Sequence, residues 1–307
     1  MKKKTYLITG CAGFIGSNLV EKIYKKHKLI LVDDLSSGKI NALPKELRKK
    51  LIRKKIQDIK QFNTKKINGI FHFAAQSSVP LSLKNFHESS ANNIESSLKI
   101  FELSKKFKAP IVYASSSAVY GNLPVGSDKH NKFSIKSPYA QDKLSIENYA
   151  KMSFEVFKTP SVGLRLFNVY GPGQKFNSSY GAVIPIFISR ILKNKSVIIN
   201  GGFQTRDFIY VEDVIEIFLR AMEKIQRQKS CKIFNLGTGR SVNINFLYKS
   251  IKENIGTNSK VIRKKLEKFD PRKSCGSHKS IIKFLKLKKY NFTKLEHGLQ
   301  MTINYFL

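Results

Sequence analysis

Tyr139 and Lys143 stand four residues apart in the run Pro138-Tyr139-Ala140-Gln141-Asp142-Lys143. On a helix that spacing puts both side chains on one face, so the ammonium lies beside the phenol. A neighbouring cation lowers the phenol from its ordinary pKa of ~10. The phenolate can then act as a general base near neutral pH. In isolation the same pair also fits a surface tyrosine and a solvated lysine. Two neighbours favour chemistry: Pro138 marks a helix start, and the triple serine Ser115, Ser116 and Ser117 closes the preceding apolar run.

A second set could hold a ligand for that base to work on. Gly10, Gly13 and Gly16 punctuate the stretch Thr9-Gly10-Cys11-Ala12-Gly13-Phe14-Ile15-Gly16. It follows the apolar run Tyr6-Leu7-Ile8 and opens a helical pattern through Leu19, Val20 and Ile23. A strand, a glycine turn and a helix start in that order suit a pyrophosphate. Glycines admit the ligand to the backbone, and the helix start offers unpaired N–H groups. Such a turn also occurs for structural reasons alone. Its expected partner is an acid about 20 residues on, and the apolar run 29–32 ends in Asp33-Asp34. A carboxylate there accepts the ribose hydroxyls and repels a 2′-phosphate, so the pair reads as NAD rather than NADP. The positive nicotinamide ring would then add to the pull of Lys143 on Tyr139.

These groups need a scaffold. Apolar runs at Thr5–Thr9, 29–32, 69–73, 110–115 and 162–167 alternate with helical patterns, such as 93–107 with Ile94, Leu98, Phe101 and Phe107 on related faces. Strands alternating with helices predict an α/β fold with a doubly wound parallel sheet. After Gly173 the rhythm loosens around 178–181 and 200–205. The expected division is a cofactor domain over 1–173, carrying Ser116, Tyr139 and Lys143, and a smaller mixed C-terminal substrate lobe over 174–307. Some of the latter's segments should return to the first domain. The tail 293–307 reads as a final helix.

The 307 residues are 41% hydrophobic, enough for a full core. No run approaches the ~20 apolar residues of a membrane span, and Met1-Lys2-Lys3-Lys4 leads into the first strand rather than a signal peptide. Three scattered cysteines, Cys11, Cys231 and Cys275, lack metal-ligand spacing and fit a reducing cytoplasm. No metal is expected. Fifty-six Lys and Arg against 21 Asp and Glu give a formal charge of +35. Such a field attracts polyanions, with residues 45–55 the densest patch. The charge is nevertheless spread along the chain, so no nucleic-acid partner is expected, and a basic surface favours an anionic small substrate.

With these residues in order, the chain resembles the extended short-chain dehydrogenases/reductases, specifically the NAD-dependent nucleotide-sugar epimerases. The likeness runs through 9–16, Asp33-Asp34-Leu35-Ser36-Ser37-Gly38, Asp58-Ile59 and His72-Phe73-Ala74-Ala75-Gln76. It continues through Asn93, 115–121, 139–143, 165–172 and Gln204-Thr205-Arg206-Asp207-Phe208. The resemblance implies a Rossmann-type fold and makes Ser116, Tyr139 and Lys143 the catalytic triad. Ser116 would bond the sugar oxygen at C4, and Lys143 the nicotinamide ribose. Cofactor contacts are implied for Gly10, Gly13, Phe14, Ile15, Gly16, Asp33, Asp34, Ser37 and Gly38. Further along, the same is implied for Asp58 and Ile59 at the adenine, for Ala74, Ala75 and Asn93 in the groove, and for Phe167 near the nicotinamide. Phe167 also fits a plain core aromatic, and Asn93 a helix cap. Substrate contacts are implied for Ser77 and Ser116, for Asn168 and Arg206 at the diphosphate, and for Ala182 and Val183 near the uracil. A guanidinium fork suits phosphate oxygens.

Relatives include dehydratases, whose pattern places an Asp-Glu pair after the active-site Ser or Thr, and decarboxylases with a Glu nearby. Here those places hold Ser117 and Ala118. The expected reaction is therefore epimerisation at C4 of a UDP-hexose, through a transient 4-keto sugar, by a cytoplasmic homodimer. Supply of polysaccharide precursors is the usual setting of relatives. The rival readings are an NAD-dependent nucleotide-sugar oxidoreductase or dehydratase, and a basic nucleic-acid or regulatory binder on a dehydrogenase scaffold. The likeness weakens near the C-terminus. Where relatives carry Arg-x-Gly-Asp, this chain has Glu267-Lys268-Phe269-Asp270, then Pro271 and Arg272, with Ser277-His278 replacing a later Asp. Lys268 or Arg272 would have to replace the missing guanidinium. Ser274, four residues after Asp270, falls at the position that gates the sugar pocket. Its small side chain implies acceptance of N-acetylated hexoses.

Overall fold

The computed structural model describes residues 3–123, 125–129, 132–175, 182–257, 259–267, 270–288 and 290–307. Lys268 and the stretch 178–181 lie outside the described residues. The elements are β1 (Thr5–Thr9), α1 (Phe14–Ile23), β2 (Lys28–Val32), α2 (Lys45–Arg48), β3 (Leu51–Ile52), β4 (Gly69–His72), α3 (Val79–Lys84), α4 (Phe86–Phe107), β5 (Ile111–Ser116), α5 (Pro138–Phe157) and β6 (Ser161–Leu166). There follow β7 (Asn168–Tyr170), α6 (Val183–Leu192), β8 (Val197–Asn200), β9 (Thr205–Tyr210), α7 (Val211–Arg227), β10 (Cys231–Leu236), β11 (Ser241–Asn243), α8 (Ile244–Ile255), β12 (Val261–Lys264), α9 (Lys279–Phe284) and α10 (Leu295–Phe306).

The central sheet is parallel and seven-stranded, in the order β10-β6-β5-β4-β1-β2-β3. Helices on both faces of a parallel sheet bury its strands on both sides, which is why they read as continuous apolar runs. Leu7, Ile8, Leu31, Ile70, Phe71, Ile111 and Val112 are all fully buried. The doubly wound α/β reading is therefore correct. The strand order reverses beside β1, and in such sheets ligands bind outside the carboxyl ends of the strands at that switch.

The chain packs into two compact units. One comprises Met1–Ser115, Ser137–Leu164 and Ile215–Phe234; the other comprises Ser116–Lys136, Arg165–Val214 and Asn235–Leu307. The first holds a core of Leu7, Val32, Ile70, Ile100, Ile111 and Ile146 between the sheet and α4 and α5. The second holds a three-stranded sheet, β11-β9-β7, and the parallel pair β12-β8. Its core gathers Tyr170, Phe187, Phe208, Leu247 and Leu299 from strands and from α6, α8 and α10.

Several boundaries moved. α4 begins at Phe86 rather than 93 because its first turns, His87-Glu88-Ser89-Ser90, carry no apolar period to read. α5 starts at Pro138 as expected, with Ser137 Oγ accepting from Ala140 N at 3.2 Å, and runs to Phe157. β6 ends at Leu166, and Phe167 leads directly into β7 of the smaller sheet. Among the described residues no helix is long and apolar enough to cross a membrane.

Candidate active site

In the first unit the glycine turn is built on contact between backbones. Gly10 has φ 67°, and a Cβ there would lie 2.6 Å from Ala74 N and 2.7 Å from Phe73 C. A Cβ on Gly16 would lie 2.1 Å from Gly10 O. The turn thus lies bare against the end of β4, beside Ala74 and Ala75. Gly13 is the N-cap of α1, whose start has neither a side-chain cap nor an acid in its first turn. Phe14, Ile15 and Gly16 therefore present that turn's N–H groups for an anion. This cradle, open only because side chains are missing, fits a dinucleotide pyrophosphate.

Asp33 follows β2 and is buried. Its Oδ2 accepts from Ala12 N at 2.8 Å and its Oδ1 from Leu35 N at 2.9 Å. The carboxylate thus fixes the glycine turn, and a carboxylate at the end of this strand can accept ribose hydroxyls. Gly38 packs against it, since a Cβ there would lie 2.8 Å from Asp33 Oδ1. Asp34 is occupied locally, its Oδ1 accepting from Ser36 N at 2.9 Å and Ser36 Oγ at 2.6 Å, and Ser37 next to it is exposed. Asp58 is exposed, whereas Ile59 belongs to the hydrophobic core. NAD is expected to bind at least about tenfold more tightly than NADP, because Asp33 would face the added phosphate. Calorimetric titration with both cofactors tests this, and equal affinities would reject the role of Asp33.

Asn93 is no helix cap. It lies within α4, fully buried, where Oδ1 accepts from Gln76 N at 2.7 Å and Nδ2 donates to Gln76 O at 3.2 Å and Asp142 Oδ2 at 3.0 Å. It clamps the segment after β4, which leads on to exposed Ser77, against α5. On α5, Tyr139 and Lys143 are both buried, and Lys143 Nζ lies 5.7 Å from the centre of the Tyr139 ring. Lys143 donates to Ala114 O at 2.9 Å. Burial pushes its ammonium down to about 8, opposed by the carboxylates of Asp142 and Glu147. His72, ending β4, bonds Thr9 Oγ1 at 2.7 Å and Ser97 Oγ at 3.1 Å. Burial and then the Lys143 charge push it down to about 3, so it is neutral at physiological pH. Sequence reading did not give Asp142, Glu147 or His72 these places. The signal for Glu147 was available, four residues after Lys143 on the same face.

The second unit carries the residues implied for the substrate. Ser116, the last residue of β5, accepts from Ala118 N at 3.1 Å and so opens the short turn holding Ser117 and Ala118. Phe167 is buried, and it stacks on Tyr120 at 6.4 Å between centres. A Cβ on Gly276 would lie 2.0 Å from its ring. Asn168 Nδ2 donates to Asp207 O at 3.2 Å. Ala182 is the exposed N-cap of α6, with Val183 its first residue. Arg206, buried on β9, donates to Thr205 O at 2.8 Å and pairs with Asp270. The aspartate of the divergent segment therefore holds the guanidinium. Arg272 is exposed, with its carbonyl accepting from Thr205 N at 3.0 Å, and Ser274 N donates to Thr205 O at 3.1 Å. These bonds set the segment alongside the start of β9. Asp207, missed from sequence, ties its surroundings together, accepting from Thr238 N and Oγ1, Gly239 N and Gly276 N. A cavity of about 420 Å³ in this unit, walled by Phe208, Thr238, His278, Tyr290 and Phe292, includes none of the implied substrate residues.

The NAD dependent epimerase/dehydratase family matches residues 6–237. The UDP-N-acetylglucosamine 4-epimerase from Methanobrevibacter ruminantium, solved with UDP-N-acetylmuramic acid, is 35% identical over 100% of this chain and 99% of its own, with a TM-score of 0.92. The UDP-glucose 4-epimerase from Thermotoga maritima, solved with UDP-glucose, is 33% identical over 98% of each chain, with a TM-score of 0.90. The human dTDP-D-glucose 4,6-dehydratase is 32% identical over 81% of this chain and 73% of its own length. The chain is similar to UDP-sugar 4-epimerases throughout, its cofactor is NAD, and it belongs to the NAD-dependent epimerase/dehydratase family.

Proposed function

We propose that this enzyme inverts C4 of a UDP-hexose, taking UDP-N-acetylglucosamine and UDP-N-acetylgalactosamine as well as UDP-glucose and UDP-galactose. The observation that carries the reading is the Lys143 ammonium 5.7 Å from the Tyr139 ring on a buried helix face. NAD, when bound, supplies the acceptor and donor of the C4 hydride. Tyr139 takes the C4 hydroxyl proton and later returns one. Ser116 hydrogen-bonds the same oxygen, and Lys143 holds the nicotinamide ribose. Arg206, steadied by Asp270, binds the diphosphate together with Asn168. Inversion requires the sugar to present its other face between two proton transfers. Binding energy must then reside in the UDP portion, with the sugar loosely held.

Two further considerations support epimerisation over dehydration. Dehydration needs an additional acid and base at C5 and C6, and Ser117 and Ala118 stand where dehydratases carry them. The solved 4-epimerases matching nearly the whole chain are also 35% and 33% identical, against 24% for a solved NDP-hexosamine 5,6-dehydratase of similar coverage. A panel of UDP-, dTDP-, GDP- and CDP-sugars tests the reading. The expected product is the C4 epimer of a UDP-sugar with no net NADH. A 4-keto-6-deoxy product from dTDP-glucose, or stoichiometric NADH, would overturn it.

The N-acetyl tolerance rests on Ser274, pinned to Thr205 beside Arg206. Overpacking a filled site costs ~1–3 kcal/mol. Ser274→Tyr is expected to depress turnover of the N-acetylated pair about tenfold more than that of the plain pair. An equal fall in both would remove Ser274 as the gate.

Homodimerisation in the cytoplasm is also proposed. Leu98 on α4 and Tyr149, Met152, Val156 and Phe157 on α5 are large apolar residues left exposed, between 37% and 62%. Sedimentation should give a dimer at micromolar concentration, and a monomer would reject it.

A further inference from the structure

The buried face of α5 carries more than a base and its lysine. Glu147 follows Lys143 by four residues and is fully buried. Its Oε1 accepts from Ser115 Oγ at 2.5 Å, while Lys143 donates to the carbonyl of the preceding residue, Ala114, at 2.9 Å. Helix and strand are thus joined at two successive residues, by the side chains of Lys143 and Glu147. Ser116 follows immediately in β5. Asp142, on the same helix, is held by Asn93 instead.

A buried carboxylate is costly to desolvate and is retained where a buried charge needs it. Among the described residues, the titratable groups that act on Lys143 or lie against it are Tyr139, Asp142 and Glu147 on α5 and His72 at the end of β4. His72 is held neutral, so it supplies no negative charge. That leaves the two carboxylates: Asp142 acts the more strongly on the lysine, and Glu147 is the one bonded to β5 through Ser115.

We infer that Glu147 is a positioning residue that keeps Lys143 charged at working pH and fixes it, through Ser115, against the end of β5 that carries Ser116. It touches neither sugar nor cofactor and acts through Lys143. The inference rests on the roles of Tyr139 and Lys143 given above.

The sign follows from the charges. Burial lowers the lysine, and the carboxylates raise it. Removing one lets Lys143 lose its proton at lower pH. An opposite charge within ~4–6 Å shifts a pKa by ~1–3 units. In Glu147→Gln, which keeps the shape and an acceptor for Ser115, the alkaline limb of the kcat profile should therefore move toward acid by about one unit or more. KM for the sugar nucleotide should stay within about threefold, since the diphosphate is bound elsewhere.

Two further readings separate positioning from a merely structural role. NAD affinity, measured by calorimetry between pH 6 and 9.5 without any sugar, should begin to fall at lower pH in Glu147→Gln than in the wild type. In a Lys143→Met background, Glu147→Gln should leave that affinity profile unchanged, because the group it acts through is gone. Glu147→Asp, which keeps the charge at shorter reach, should give a limb between those of the wild type and Glu147→Gln. It serves alone if Glu147→Gln does not fold. Limbs and affinity profiles that stay put while only the melting temperature falls would overturn the inference, as would additive effects in the two backgrounds. If no sugar turns over even in the wild type, the functional reading fails, and the NAD profiles still decide on Glu147.

Discussion

Tyr139→Phe is expected to remove most turnover, a loss of ~10²–10⁴-fold, while leaving folding and NAD binding nearly intact. The substitution deletes one oxygen. Tyr139 is buried near the start of α5, and its ring packing and the bond from its N–H to Ser82 Oγ survive the change. What disappears is the group proposed to carry the C4 proton, beside an ammonium 5.7 Å from the ring centre. The measurement is kcat on the best sugar nucleotide, with bound NAD and melting temperature as controls. Activity within a few-fold of the wild type would assign the proton to another residue. Loss of NAD along with activity would mean that the hydroxyl supports the cofactor instead.

The second large effect is expected at Gly16. A Cβ there would meet Gly10 O at 2.1 Å, with Cys11 Cα and Gly10 C at 2.9 Å. All three are backbone atoms, so no side chain can swing aside. The turn itself must shift, and Gly10 is already in contact with Ala74 N and Phe73. Gly16→Ala should cost ~1–3 kcal/mol of stability and weaken NAD by about 100-fold or more. Gly13→Ala supplies a graded comparison, because its Cβ would approach Gly10 O only to 3.2 Å. Denaturant unfolding and NAD titration read both. An alanine at residue 16 that binds NAD normally would show that the turn is slack and that the glycine spacing has another cause.

Much of the first unit was legible because its chemistry follows the chain. A glycine turn between strand and helix, an acid ending the next strand, and a base and cation one helical turn apart are all local spacings. Each reappears as geometry: Gly10 at positive φ, Asp33 gripping Ala12 N, and Lys143 over the Tyr139 ring. The early start of α4 escaped notice because a polar, serine-rich turn gives no period, and it is held by contacts that only the folded chain supplies.

The second unit was legible in its residue types and opaque in its connections. Arg206 could be singled out as a phosphate ligand, but its pairing with Asp270 joins residues sixty-four apart in the chain. Asp207 next to it looked like part of a motif and turned out to anchor Thr238, Gly239 and Gly276. Gly276 itself carried no signal until the Phe167 ring was found where its side chain would be.

The sequence alone therefore determined the doubly wound sheet, the bare glycine turn with its acid, and the placing of Tyr139 and Lys143 on one face of α5. Those features arise from periodicities of two to four residues and from backbone freedom at single glycines. Only the tertiary structure decided which carboxylates accompany the buried lysine, which residue steadies Arg206, and where Ser274 lies. Burial and long-range pairing set those outcomes, since the cost of an isolated buried charge is met by whichever group the fold brings within reach.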